Sequence, residues 1–119
     1  MTTQYNPGHT LTRKTSANVE EYRFVTAAGA QAGAGAAAIG VSLTGAAAGG
    51  SITVATSGSV PVIAGATIAV GDQLASDAQG RAVPAASGNV ILSVALEVAT
   101  VGQDTEVLLG APAATKGGA

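Results

Sequence analysis

Apolar and polar positions alternate most clearly in residues 90–109, VILSVALEVATVGQDTEVLL. Val94, Leu96 and Val98 interleave with Ala95, Glu97 and Ala99, the period of two expected of a strand with one buried face. Past the turn-forming Gly102-Gln103-Asp104, a second strand places Thr105, Val107 and Leu109 on one face. Two strands with a short polar connection make a β-hairpin or a small β-arch.

The pattern occurs twice. Residues 39–54, IGVSLTGAAAGGSITV, fall on residues 92–107 when slid by 53 positions without a gap. Val41 then meets Val94, Leu43 meets Leu96, Gly49 meets Gly102 and Val54 meets Val107. Two readings stand: one small β domain built from two related hairpins, or chance similarity in a chain rich in Ala and Gly. The first predicts that Val41, Leu43, Val54, Val94, Leu96 and Val107 form one core.

The other segments read as short strands and turns. Residues 19–26, VEEYRFVT, predict a strand with Tyr22 and Phe24 on one face. Residues 27–38 are Ala-rich, but Gly29, Gly33 and Gly35 each cost a helix about 1 kcal/mol relative to Ala, which favours a loop. Residues 51–64 read as two strands around Ser57-Gly58, with Pro61 placing the second at an edge or a start. Leu74 and Val83 pin a small hairpin about the turn Asp77-Ala78-Gln79-Gly80. Many short strands and no convincing helix predict an all-β fold, a small barrel or sandwich.

Residues 1–17 lack apolar periodicity, and Pro7-Gly8 marks a turn. They are either a disordered terminus or an extended arm that orders on a partner, with Tyr5 as anchor. At about 3.3 Å per residue, such an arm reaches roughly 55–60 Å. Thr10-Leu11-Thr12 has the propensity to add a strand to an exposed sheet edge.

Composition adds assembly to this picture. The 119 residues suit one domain, with 47% hydrophobic but only 3% aromatic. Burial contributes about 25 cal/mol per Å², so an Ala-rich core is thin. Charged residues are 10%, against about 25% in an average protein. A surface so poor in charge is weakly protected from association, which implies cover by partner chains.

The same composition narrows the chemistry. The net charge is −2 and no basic cluster exceeds Arg13-Lys14, which argues against nucleic acid. Without cysteine there is no disulfide framework or thiolate metal site. The N-terminus lacks the charge and apolar run of a signal peptide. Residues 24–71 carry no charge, but Gly, Ser and Thr interrupt them too often for a membrane span. Gly33-Ala34-Gly35-Ala36-Ala37-Ala38 matches a dinucleotide-binding glycine pattern, yet no helix is expected after it and the next acid is Asp72. His9 is the only histidine and lies in the polar N-terminal stretch. Asp72 and Asp77 suit turn capping better than acid–base work. Glu97, Asp104 and Glu106 suit a solvent face, with a weak calcium site as the alternative. The expectation is no catalytic residue, no metal and no cofactor.

Three stretches carry a family resemblance. They are Gly71-Asp72-Gln73-Leu74, then residues 92–102, LSVALEVATVG, and the closing Glu106-Val107-Leu108-Leu109. Together they resemble the C-terminal half of the head decoration, or capsid cement, proteins of tailed bacteriophages. The opening Gln4-Tyr5-Asn6-Pro7-Gly8 looks like the arm of such proteins. The resemblance implies a non-enzymatic, β-tulip-like barrel or sandwich with an N-terminal arm. It implies attachment to the outer surface of the capsid, bridging major capsid protein subunits, in a virion component made in the host cytoplasm. It also implies association with copies of itself, as a trimer at local symmetry axes. On this reading residues 1–18 are the arm, 19–110 the decoration domain and 111–119 a flexible tail. Gln4, Tyr5, Asn6, Pro7 and Leu11 are the expected capsid-binding residues. The alternative is a receptor- or carbohydrate-binding module displayed on a particle, which needs exposed aromatics for sugar stacking.

Overall fold

Backbone pairing shows how far the repeat extends. The computed structural model describes residues 6–7, 9–109 and 114–115, with 6–7 and 114–115 described as strand backbone only. No helix occurs among the described residues. The strands are β1 (Asn6–Pro7), β2 (Thr10–Lys14), β3 (Phe24–Val25), β4 (Gly40–Ser42), β5 (Ser51–Ala55) and β6 (Gly58–Ile63). They continue with β7 (Gln73–Ser76), β8 (Ala82–Pro84), β9 (Val90–Ile91), β10 (Ser93–Ala95), β11 (Asp104–Leu109) and β12 (Ala114–Thr115). A four-stranded sheet runs β2-β5-β4-β3 and a six-stranded sheet runs β1-β6-β11-β10-β7-β8. β12 pairs with β9 beside them. Among the described residues every pairing between strands is antiparallel, and the fold is a small all-β sandwich.

The two larger sheets are copies of one unit. Val41↔Ala55 and Ser42↔Val54 in the first reappear as Val94↔Leu108 and Ala95↔Val107 in the second, at the offset of 53 seen in the sequence. Before β4 the offset is 49. Leu11↔Val54 becomes Val60↔Val107, and Phe24↔Val41 becomes Gln73↔Val94. The bridges Val19↔Ala46 and Val25↔Gln31 recur as Ile68↔Ala99 and Leu74↔Pro84. Residues 10–55 and 59–108 are therefore one fold duplicated in tandem. The second copy has four extra residues between β7 and β8.

The duplication explains one strained position. Residues 19–26 do not form the continuous strand that their pattern predicts. The chain turns at Glu21-Tyr22, and strand resumes only at Phe24–Val25. Tyr22 is the only non-glycine with positive φ among the described residues, at 61°. Its counterpart is Gly71, at 88°. The Tyr22 amide donates to the Ser42 carbonyl just as Gly71 donates to Ala95. The turn is built into the unit, and the first copy holds it without the glycine that would ease it.

Neighbouring strands of one sheet put directly paired residues on the same face, so each unit has two. In the first, Phe24, Val41, Leu43 and Ala55 share a face, and all are buried. They join one cluster with Val60, Val62, Ala95, Val107 and Leu109 of the second unit, and this is the sandwich core. The opposite face of the first unit carries a smaller cluster of Val19, Val25, Ile52 and Val54.

The expected single core is thus corrected. Val41, Leu43 and Val107 are buried together, but Val54 lies in the second cluster because its neighbour Ala55 takes the sandwich side. Val94 is half-buried and Leu96 is 39% exposed. The phase of β10 is the reverse of the expected one: Ser93 and Ala95 point inward. Small side chains suit that side because the bulk of the first unit already fills the space.

The four extra residues complete the contact between units. Asp77 caps their turn through Oδ1, accepting from the amides of Gln79 and Arg81, while Oδ2 accepts from Arg81 Nε at 2.7 Å. The turn lies against the first unit. Phe24 donates its amide to the Gly80 carbonyl at 2.7 Å, and Arg23 Nη1 and Gln31 Nε2 both donate to the Gln79 carbonyl. A Cβ on Gly80 would lie 2.7 Å from the Phe24 carbonyl oxygen.

Two expectations follow. Leu74→Ala, at a fully buried position, lowers unfolding free energy by about 2–5 kcal/mol in urea titration, whereas Leu96→Ala costs under about 1 kcal/mol. Equal losses would contradict the assigned strand phase. Gly71→Ala and Gly80→Ala both place a Cβ at positive φ, at about 1–2 kcal/mol each. Only Gly80→Ala also meets the first unit, so it lowers the melting temperature more. Equal melting temperatures would remove the turn from the inter-unit contact.

Candidate functional site

The expected capsid-binding residues are not gathered in one place. Gln4 and Tyr5 lie outside the described residues. Asn6 and Pro7 form β1, opposite Ser59 and Gly58 on the six-stranded sheet. Leu11 lies in β2, opposite Val54 at the edge of the four-stranded sheet, and is 36% exposed. The segment from β1 to β2 thus straps the two sheets together. His9 fastens it midway: its amide donates to Ser57 Oγ at 2.9 Å, and its carbonyl accepts from the Thr56 amide at 2.8 Å. Thr56 and Ser57 are the crossover between units, so the strap lies along the joint.

This corrects the expected arm. Thr10-Leu11-Thr12 does add a strand to an open sheet edge, but the edge is β5 of its own chain. All five residues of β2 remain exposed, and β2 is the outermost strand. Arg13 and Lys14 guard that edge with charge, a common protection against edge-to-edge pairing. Arg13 is held in place by donating Nη2 to the Ala27 carbonyl at 2.9 Å.

The residues considered for chemistry are taken up by the backbone. Asp72 Oδ2 accepts from the Ala69 amide at 2.9 Å, and Asp77 caps its own turn. Glu97 Oε1 accepts from the Glu106 amide at 3.0 Å, so Glu97 braces β11 instead of facing solvent freely. Among the described residues no three His, Asp or Glu side chains approach closely enough to hold a metal ion. No helix follows the Gly33–Gly35 pattern. Here Gly35 donates its amide to the Ser76 carbonyl and accepts from the Val90 amide, joining the loop to the second unit.

Apolar surface is the more distinctive feature, and the sequence reading placed it wrongly. Leu96, Leu108, Val98, Val101 and Val70 are 39–63% exposed, all of them in the second unit. Register puts Val94, Leu96 and Leu108 on one face, with Glu106 beside Leu96 and Asp104 beyond. A signal for this was present. Small residues recur at Ala95 and Ala99, as a packed inner side requires, and the duplicated pattern assigned the larger ones inward.

A duplicated β sandwich with a strapped joint, an exposed apolar face edged by Glu106 and Asp104, and polar groups spent on turns has the make-up of a structural scaffold. The sequence matches the model of the phage cement protein family over residues 4–110, and the chain belongs to that family. It is a capsid-associated structural protein of a bacteriophage. No curated protein sequence matches it. Among solved structures it is similar to the N base of the head fiber gp8.5 of bacteriophage phi29. That likeness has a TM-score of 0.73 at 25% identity, over 86% of this chain and 93% of the other.

Proposed function

We propose that the protein cements the phage head: it attaches to the outer surface of the capsid and bridges major capsid protein subunits. The observation that carries this reading is the family match, which begins at Gln4 and so takes in the N-terminal segment as well as the sandwich. The protein acts without catalysis or a cofactor, as copies of itself grouped in a trimer at local symmetry axes, after synthesis in the host cytoplasm.

The strap gives the attachment a mechanical basis. Contacts made by Gln4, Tyr5, Asn6 and Pro7 are transmitted to both sheets, because His9 holds the segment against the joint. Since β1 and β2 both belong to the sandwich, the part of the expected arm left to reach a neighbouring subunit lies before Asn6. The aromatics do not favour a sugar-binding role: Phe24 is fully buried and Tyr22 packs half-buried against the core.

Purified protein added to matching empty expanded heads is expected to bind them to saturation and to raise their disruption temperature. Failure of the full-length chain to bind would end the cement reading. Deleting residues 1–5 leaves β1, β2 and the His9 contacts intact, so the thermal unfolding curve stays close to that of the full chain while head occupancy drops at least tenfold. Unchanged occupancy would show that the arm is dispensable.

A further inference from the structure

The two units do not use their equivalent faces equally. The Val41 face of the first unit is buried, with Phe24, Val41 and Ala55 inaccessible and Leu43 nearly so. Their counterparts in the second unit are Gln73, Val94, Leu108 and Leu96, by the register that defines the duplication. Leu96 and Leu108 are exposed and Val94 is half-buried. Val98, two positions beyond Leu96, is exposed as well. Leu108 stands where the buried version has Ala55, so this open face has gained apolar bulk at that position. A single exposed leucine is ordinary, but a contiguous apolar patch with a polar rim marks a contact surface.

The rim of this patch is acidic. Glu106 and Asp104 stand where the first unit has Thr53 and Ser51, on the same face of β11 as Leu108. Neither carboxylate has a hydrogen-bond or ion-pair partner among the described residues. A partner that covers the patch must bring bases to these two acids, because covering an unpaired carboxylate is costly.

A second copy of the chain offers no such match among its described residues. Arg13 donates to the Ala27 carbonyl, Arg23 to Glu20 and the Gln79 carbonyl, and Arg81 to Asp77. Lys14 remains, but it shares its face of β2 with Thr10 and Thr12 and lies opposite Leu11, so it borders no apolar patch. The arm indicates a different partner. Asn6 lies opposite Ser59, and Ser59 opposite Leu108. At about 4.8 Å between neighbouring strands, the point where residues 1–5 leave the sandwich is roughly 10 Å from Leu108. A surface that holds those residues is within reach of the patch.

We propose that the Leu96–Leu108 face is the capsid-facing side of the molecule, and that it seats on an apolar patch of the major capsid protein flanked by Lys or Arg. This rests on the cement reading and names the surface through which it operates. Leu96, Leu108 and Val98 supply the water-excluding centre of the contact, and Glu106 and Asp104 supply its orientation, as complementary charges do at interfaces. The arm continues the same contact past β1, so sandwich and arm grip one partner side by side.

The chain has no cysteine, so one introduced thiol is a unique probe. Leu108→Cys and, as a control on the other sheet, Thr12→Cys are labelled with a maleimide, first free in solution and then bound to matching empty expanded heads. Both are exposed positions, so both react readily in the free protein. On heads, the Leu108→Cys rate is expected to fall at least tenfold while the Thr12→Cys rate changes less than twofold. In parallel, Asp104→Lys with Glu106→Lys is expected to keep the wild-type thermal unfolding curve and to lower head affinity at least tenfold, and wild-type affinity weakens as salt is raised. Equal labelling of Leu108→Cys with and without heads overturns the proposal, as does unchanged head affinity of the Lys variant. Protection of Leu108→Cys in the free protein overturns it too, because the face then belongs to a second copy. In all three cases heads that still bind the wild type leave the cement reading standing. A wild type that ignores the heads removes the cement reading and this face assignment together.

Discussion

Everything in this molecule depends on the burial of one β face against another within a chain that has few large side chains. Phe24 is the one fully buried aromatic among the described residues. Val, Leu, Ile and Ala supply the rest, and a single small sheet of such residues has too little area to hold itself together. Duplicating the unit solves this by giving each copy a partner. The first copy turns its Val41 face onto the second, and the larger of the two clusters forms at that contact. The additional turn at residues 77–80 and the His9 strap then fix the angle at which the copies meet.

Much of the fold was legible in the sequence. The alternation in β11 correctly places Thr105, Val107 and Leu109 inside, and the turn at 77–80 falls where Asp77 and Gly80 predict it. The duplication was only half visible. Its later part keeps the offset of 53, but the earlier part shifts to 49, and side chains there diverge: Tyr22 stands for Gly71, Phe24 for Gln73 and Leu11 for Val60. What persists is hydrogen bonding, which a residue-by-residue comparison does not read.

The phase of β10 was not legible for a physical reason. Periodicity gives two faces and assigns the bulkier one to the core. In residues 93–99 the bulkier face is outside, because the inner side meets a neighbour that already brings Phe24 and Leu43. Partner geometry decides such a case, and it lies elsewhere in the chain. The N-terminal segment shows the same limit. Its tendency to add a strand was readable from Thr10-Leu11-Thr12, but the identity of the edge it joins depends on where β5 ends up. Of the expected capsid-binding residues, Asn6, Pro7 and Leu11 now have positions in the sheets, while Gln4 and Tyr5 lie beyond the described residues.

Tandem order also has a consequence during synthesis. The first unit is complete once residue 55 has left the ribosome, since β2 pairs with β5 and β5 with β4. Its Val41 face then has no cover until β6 and β11 follow, more than fifty residues later at Leu109. For that interval a nascent chain carries an exposed patch of Phe24, Val41, Leu43 and Ala55, and adjacent chains on one message carry the same patch. Transiently exposed apolar surface of this kind favours misassembly between neighbouring copies. The sparse aromatic content that makes the finished core thin also keeps this half-made molecule from being stickier than it is.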